Sequence, residues 1–184
     1  NRGGKQTIML GFSDGTKDGG YLKANWEIYT TKEKLTRISD QHHVKVVFFD
    51  GRGGPPARGG GKTHDFYASQ GKTIANNKIE LTIQGQTITS VYGNVEQAKY
   101  NFEQLLTAGI ETDVFNNSKK ELSDSERALI EELANISYQK YSDLKHHPMF
   151  VPYLQEMSTL PYYGKTNIGS RPSKRGGDDQ LKFE

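Results

Sequence analysis

Hydrophobic and polar positions follow two regimes along the chain, a mixed strand-and-helix pattern at first and long helical periods from about Val95. Thr7-Ile8-Met9-Leu10-Gly11-Phe12 is a short apolar run and predicts a buried strand. Asp18 to Gln41 then places apolar residues at Leu22, Trp26, Tyr29, Leu35 and Ile38, a helical spacing whose first turn is weakened by Gly19-Gly20. Val44-Lys45-Val46-Val47-Phe48-Phe49 is rich in β-branched and aromatic residues and gives the clearest strand signal. Strand, helix and strand in that order predict a parallel βαβ unit.

The next eleven residues, Gly51 to Gly61, hold six glycines, two prolines, two arginines and an alanine, which suits neither a helix nor a central strand. A loop is predicted there, at the carboxyl end of the second strand, where α/β folds place their ligands. A helix follows over Lys62 to Ser69. Lys78 to Gln84, with Ile79, Leu81 and Ile83 on one face, predicts another strand. In the helical part, Ala98, Phe102, Leu105, Leu106 and Gly109 share one face, and Leu129, Ile130, Leu133, Ile136, Tyr141 and Leu144 belong to a second helix. Ser123 is the predicted N-cap of that helix, with Glu126 at the capping-box position. Pro148 and Pro152 are expected to break the helical pattern, and Pro161 to Gly177 returns to loop composition with a basic cluster at Arg171, Lys174 and Arg175. The fold class is α/β, with a strand-bearing segment over residues 1–93 and a helical segment over 94–184.

Composition changes the picture in one respect. Only 33% of the 184 residues are hydrophobic and the mean hydropathy is −0.77. So polar a chain has little apolar surface to set against the entropy of ordering it, which fits a piece completed by neighbours as well as a small domain with a generous polar surface. The 24 basic and 22 acidic residues nearly cancel, which argues against general polyanion binding. Without cysteine there are no disulfides, thiolate metal sites or cysteine nucleophiles. No apolar run approaches the roughly 20 residues that span a bilayer. The start, Asn1-Arg2-Gly3-Gly4-Lys5, is unlike a signal peptide and lacks an initiator methionine, so the segment is expected to lie inside a longer cytoplasmic protein.

Two constellations could carry chemistry. Ser13-Asp14-Gly15-Thr16-Lys17-Asp18, after the first strand, offers a carboxylate for a metal and an ammonium for an anion; it also reads as a turn and helix cap. In the glycine-rich loop, glycines admit a phosphate to the backbone N–H groups, and Arg52 and Arg58 supply forked donors; the alternative is a flexible connector. Gly61-Lys62-Thr63 ends like a nucleotide-binding P-loop, but the position requiring the first glycine is Pro56. Arg-Gly-Gly triplets at Arg2, Arg52, Arg58 and Arg175 suggest, as an alternative function, an RGG-type RNA-binding module, although they are dispersed rather than dense. The adjacent pairs His42-His43 and His146-His147 lack metal-site spacing, and His64 is the histidine nearest the loop.

Three blocks taken together resemble the phosphoenolpyruvate carboxylase family: Met9-Leu10-Gly11-Phe12-Ser13-Asp14 with Lys17-Asp18, Phe49 through Gly60, and Gly169-Ser170-Arg171-Pro172-Ser173-Lys174-Arg175. Their order and separation match as well. The resemblance implies part of a TIM-like β-barrel with surrounding helices. It implies conversion of phosphoenolpyruvate and bicarbonate to oxaloacetate and phosphate, through carboxyphosphate and the enolate of pyruvate. Mg²⁺ or Mn²⁺ is the implied cofactor, without biotin. Asp14 is the implied metal ligand, with Lys17 beside the anionic site. Arg52 and Arg171, with Gly53 and Gly54, are placed on the substrate phosphate, and Arg58 is the mobile catalytic arginine. The implied partners are the two substrates and the rest of the same polypeptide in a homotetramer, with neither nucleic acid nor membrane.

The sequence departs from the family at one position, with Asp50 where histidine usually precedes Gly-Arg-Gly-Gly. An ionised aspartate only accepts hydrogen bonds, whereas histidine can donate one or shuttle a proton. The histidine's role is therefore not carried over; Asp50 could orient Arg52 or repel bicarbonate. With no counterpart to the family's second metal-binding acid or its N-terminal histidine, the 184-residue piece is expected to be inactive alone.

Overall fold

The structure is a computed structural model, and it describes residues 3–53, 62–83, 86–115, 121–159 and 162. Along the chain run β1 (Lys5–Leu10), α1 (Phe12–Gly19), α2 (Tyr21–Gln41), β2 (Lys45–Gly53), α3 (Thr63–Ala68), β3 (Ile79–Ile83), α4 (Gln86–Tyr92), α5 (Val95–Phe115), α6 (Asp124–Lys145) and α7 (Phe150–Met157). The strands form a three-stranded sheet in the order β1-β2-β3, with both pairings parallel. The predicted βαβ unit is present, and its register runs from Lys5↔Lys45 to Leu10↔Asp50. The three strands form an open sheet; among the described residues they do not close into a barrel.

The core lies between the sheet and α2. Val46, Phe48 and Ile74 are buried there, with Ile8, Leu10, Tyr29, Leu35 and Ala75 packed against them. Parallel sheets usually need cover on both faces. Here Met9, which alternation sends to the opposite face from Ile8 and Leu10, is 63% exposed.

Local differences from the sequence reading have physical causes. Phe12, predicted to end the first strand, instead starts α1 and is fully buried. Ser13 to Asp18, read as a strand-end loop or turn, is helical. The single helix predicted over Asp18 to Gln41 is two helices, because Gly20 takes φ 76°, a left-handed conformation in which its N–H reaches back to the Thr16 carbonyl at 3.0 Å. β2 runs on through Gly51, Arg52 and Gly53, with irregular pairing to β3 between Asp50 and Gly53. Helix α4 was not anticipated. Pro152 does not break a helix but sits in the first turn of α7, where a missing N–H costs no intrahelical bond.

The predicted capping box is formed: Glu126 Oε2 accepts from the Ser123 N–H at 2.8 Å, and the Ser123 hydroxyl accepts from the Glu126 N–H at 3.3 Å. The apolar faces of the later helices are largely bare. Phe102, Leu106, Ile110 and Val114 on α5, and Leu129, Leu133 and Ile136 on α6, are exposed. The chain divides into two compact units, residues 1–138 and 139–184. Among the described residues no helix is long and apolar enough to cross a membrane.

Candidate functional site

The parallel register brings the carboxyl ends of β1 and β2 side by side, since Leu10 pairs with Asp50. Past Leu10 the chain turns directly into α1; past Asp50 it enters Gly51-Arg52-Gly53. The two strand ends approach closely at Gly51. A Cβ there would stand 3.0 Å from the Leu10 carbonyl oxygen, so a side chain at this position would crowd the β1 backbone.

Helix α1 presents Asp14 and Lys17 one turn apart. They form an ion pair at 2.7 Å, with side chains 70% and 57% exposed. Asp14 therefore offers a hard oxygen donor suited to a divalent cation, and Lys17 a point charge suited to an anion. Among the described residues no cluster of three or more His, Asp or Glu side chains could hold a metal by itself. The backbone of Arg52 and Gly53 continues β2. Gly54, Arg58 and Arg171 lie outside the described residues. Of the Arg-Gly-Gly triplets only that at Arg52 begins within them, and there it extends an ordered strand rather than a tail.

Within the core lies a site that sequence reasoning missed. The Asp50 side chain is wholly buried, and so, at 1% exposure, is Lys32 from the middle of α2. Lys32 Nζ donates to Asp50 Oδ2 at 2.7 Å, and the Tyr67 hydroxyl donates to the same oxygen at 2.9 Å. The ammonium also faces three aromatic rings, those of Phe48, Phe66 and Tyr67, at 5.1, 5.3 and 5.8 Å from their centroids. Asp50 Oδ1 is buried with no hydrogen-bond partner. The charge of Asp50 is thus neutralised in place, in the core, by a partner 18 residues earlier. A signal was there to find. Lys32 continues the stripe of Trp26 and Tyr29 at a three-residue step, a charge on a buried helix face, just as Asp50 is a charge soon after the buried run Val46-Val47-Phe48.

On another side of α2, Glu33 receives both arms of the Arg127 guanidinium at 2.7 and 2.8 Å and the Thr73 hydroxyl at 2.6 Å. The guanidinium, foremost, holds the Glu33 carboxyl below its ordinary value. About two to three turns earlier on α2, the Trp26 indole N–H and Lys23, the latter at 2.7 Å, donate to Glu131 of α6. These bonds tie α2 to α6. His64, on α3, lies 3.4 Å from Asp65 and 3.7 Å from Glu111.

The family model of phosphoenolpyruvate carboxylase matches residues 1–183. The phosphoenolpyruvate carboxylase of Corynebacterium glutamicum is 39% identical over 173 residues, which is 92% of this chain and 19% of that protein. That of Corynebacterium efficiens matches equally, and that of Corynebacterium diphtheriae is 35% identical over 174 residues, or 95% of this chain. The chain thus spans about a fifth of the curated relatives it matches, 19% of each of these.

Proposed function

The chain belongs to the phosphoenolpyruvate carboxylase family, and from that membership we propose that it supplies part of the active site of an enzyme that joins bicarbonate to phosphoenolpyruvate, giving oxaloacetate and phosphate. The observation that carries this reading is the adjacency of the β1 and β2 carboxyl ends. It sets the block with Asp14 and Lys17 beside the block that opens with Arg52. The open sheet is read as an arc of a larger barrel whose other strands come from the rest of the polypeptide.

In this reading an oxygen of bicarbonate attacks phosphorus and the phosphorus–oxygen bond to the enol breaks. Carboxyphosphate and the enolate of pyruvate result. Carboxyphosphate then releases carbon dioxide and phosphate, and the enolate carbon bonds to carbon dioxide. Arg52 and Arg171, with the N–H groups of Gly53 and Gly54, hold the phosphoryl oxygens; Lys17 adds positive charge and Arg58 closes on the anion. Asp14 would give one carboxylate oxygen to Mg²⁺ or Mn²⁺, and the other ligands come from elsewhere in the whole enzyme. The cation supplies Lewis-acid neutralisation of oxygens that gain negative charge. With so partial a set of groups, the 184-residue piece alone has no carboxylase activity.

The test is bicarbonate-dependent oxaloacetate formation by the full-length protein containing this segment. Each lost guanidinium removes about 3–4 kcal/mol of transition-state stabilisation. Arg52→Ala or Arg171→Ala is therefore expected to lower turnover at least ~100-fold. Near-normal turnover in either variant removes that residue from the site, and an inactive wild-type enzyme sinks the reading.

A further inference from the structure

Asp50 in β2 and Tyr67 in α3 flank the glycine/arginine segment in sequence, and these two residues are hydrogen-bonded to each other at 2.9 Å across 17 positions. Both are bound to α2 through Lys32, whose ammonium reaches Asp50 at 2.7 Å and lies over the Tyr67 ring. The neighbouring ring of Phe66 connects this centre to the other motif block. It packs edge-on against Phe12, the fully buried first residue of α1, with centroids 5.5 Å apart.

We propose that Lys32, Asp50 and Tyr67 are positioning residues: a buried charged clamp that fixes β2 and α3, the elements on either side of the glycine/arginine segment, to α2 and, through Phe66 and Phe12, holds them against the helix bearing Asp14 and Lys17. The setting makes it stiff. Opening it strands an ammonium and a carboxylate away from water, which is far more costly than parting two neutral groups. Lys32 and Tyr67 thus meet at a single carboxylate oxygen, Oδ2.

The proposal rests on the carboxylase reading for its kinetic arm but not for its structural one. In the full-length enzyme, Tyr67→Phe removes one hydroxyl and keeps the ring and the ion pair. It is expected to lower kcat/KM for phosphoenolpyruvate about tenfold, with a larger effect on KM than on kcat, while the circular dichroism spectrum is unchanged. Tryptic cleavage after Arg58 and Lys62, between the clamped ends, is expected to speed up at least about fivefold, with other sites unaffected. Asp50→Asn keeps both acceptor bonds but leaves Lys32 uncompensated. Adding Lys32→Gln restores neutrality, so the double variant is expected to recover at least about fivefold in kcat/KM over Asp50→Asn. Tyr67→Phe with kcat/KM within twofold and unchanged cleavage would overturn the clamp, as would a double variant no better than its single parent. Should the wild-type enzyme make no oxaloacetate, the carboxylase reading fails while the cleavage rates still decide the clamp.

Discussion

Lys32 and Glu33 are neighbours on α2, each engaged in an ion pair, yet the two pairs sit in different media. Lys32 meets Asp50 with both side chains at or below 1% exposure, against aromatic rings. Glu33 meets Arg127 with 14% and 30% of the side chains exposed, where water still reaches the guanidinium. The dry pair has lost its hydration, and only the attraction of its partner offsets that loss, so its worth lies in fixing geometry more than in net stability. The wetter pair joins two helices with good forked geometry at little desolvation cost, and adds modest stability. One helix thus serves the strand ends with one residue and the helical layer with the next.

The sharpest way to break this contrast is to neutralise one partner of the dry pair. Asp50→Asn or Lys32→Met leaves a buried uncompensated charge and is expected to cost about 3–5 kcal/mol. Hydrogen exchange in the full-length protein should report it as lost protection in β2 and α2 together. Arg127→Met removes the forked partner of Glu33 and, with solvent screening, is expected to cost only about 1 kcal/mol, with exchange in β2 unchanged. A loss in β2 as large as that caused by Asp50→Asn would erase the distinction between the two pairs. Acid gives the smallest and most selective effect. The Glu33 carboxyl is held below its ordinary value of 4.5 when folded, so its contribution is complete above that value and is lost as pH falls through the lower folded value. Protection at the α2–α6 contact should therefore decline below about pH 4.5, and Glu33→Gln should flatten that decline.

The same contrast marks what the sequence could disclose. The βαβ order, the strand at Val44 to Phe49 and the Ser123–Glu126 capping box are local patterns, and each stands in the structure. The break at Gly20 was only half legible, since Gly19-Gly20 signalled a weak helix turn but not a second helix in a new direction. The apolar face of α5 was legible as a face, but its exposure was not, because periodicity shows which residues want cover and not what supplies it. For the candidate site, the three motif blocks disclosed the family. They do not include Lys32, whose local sign was a charge on an apolar helix face, and nothing local ties it to a residue in the next strand. Only the packing of α2 on β2 brings that lysine to Asp50.

The parallel pairing of Lys5 with Lys45 also has a consequence in time. Strands joined through a helical crossover cannot pair until the intervening chain has closed its loop, whereas helix α2 can form from local contacts alone. Lys32 therefore enters folding as a hydrated ammonium on a preformed helix, and must shed its water when β2 arrives with Asp50. That order makes dehydration of the ammonium a late event, and it makes the docked state long-lived once formed. Pulsed hydrogen labelling during refolding should find α2 amides protected before those of β2; simultaneous protection of the two would place the meeting of lysine and aspartate at the start of folding.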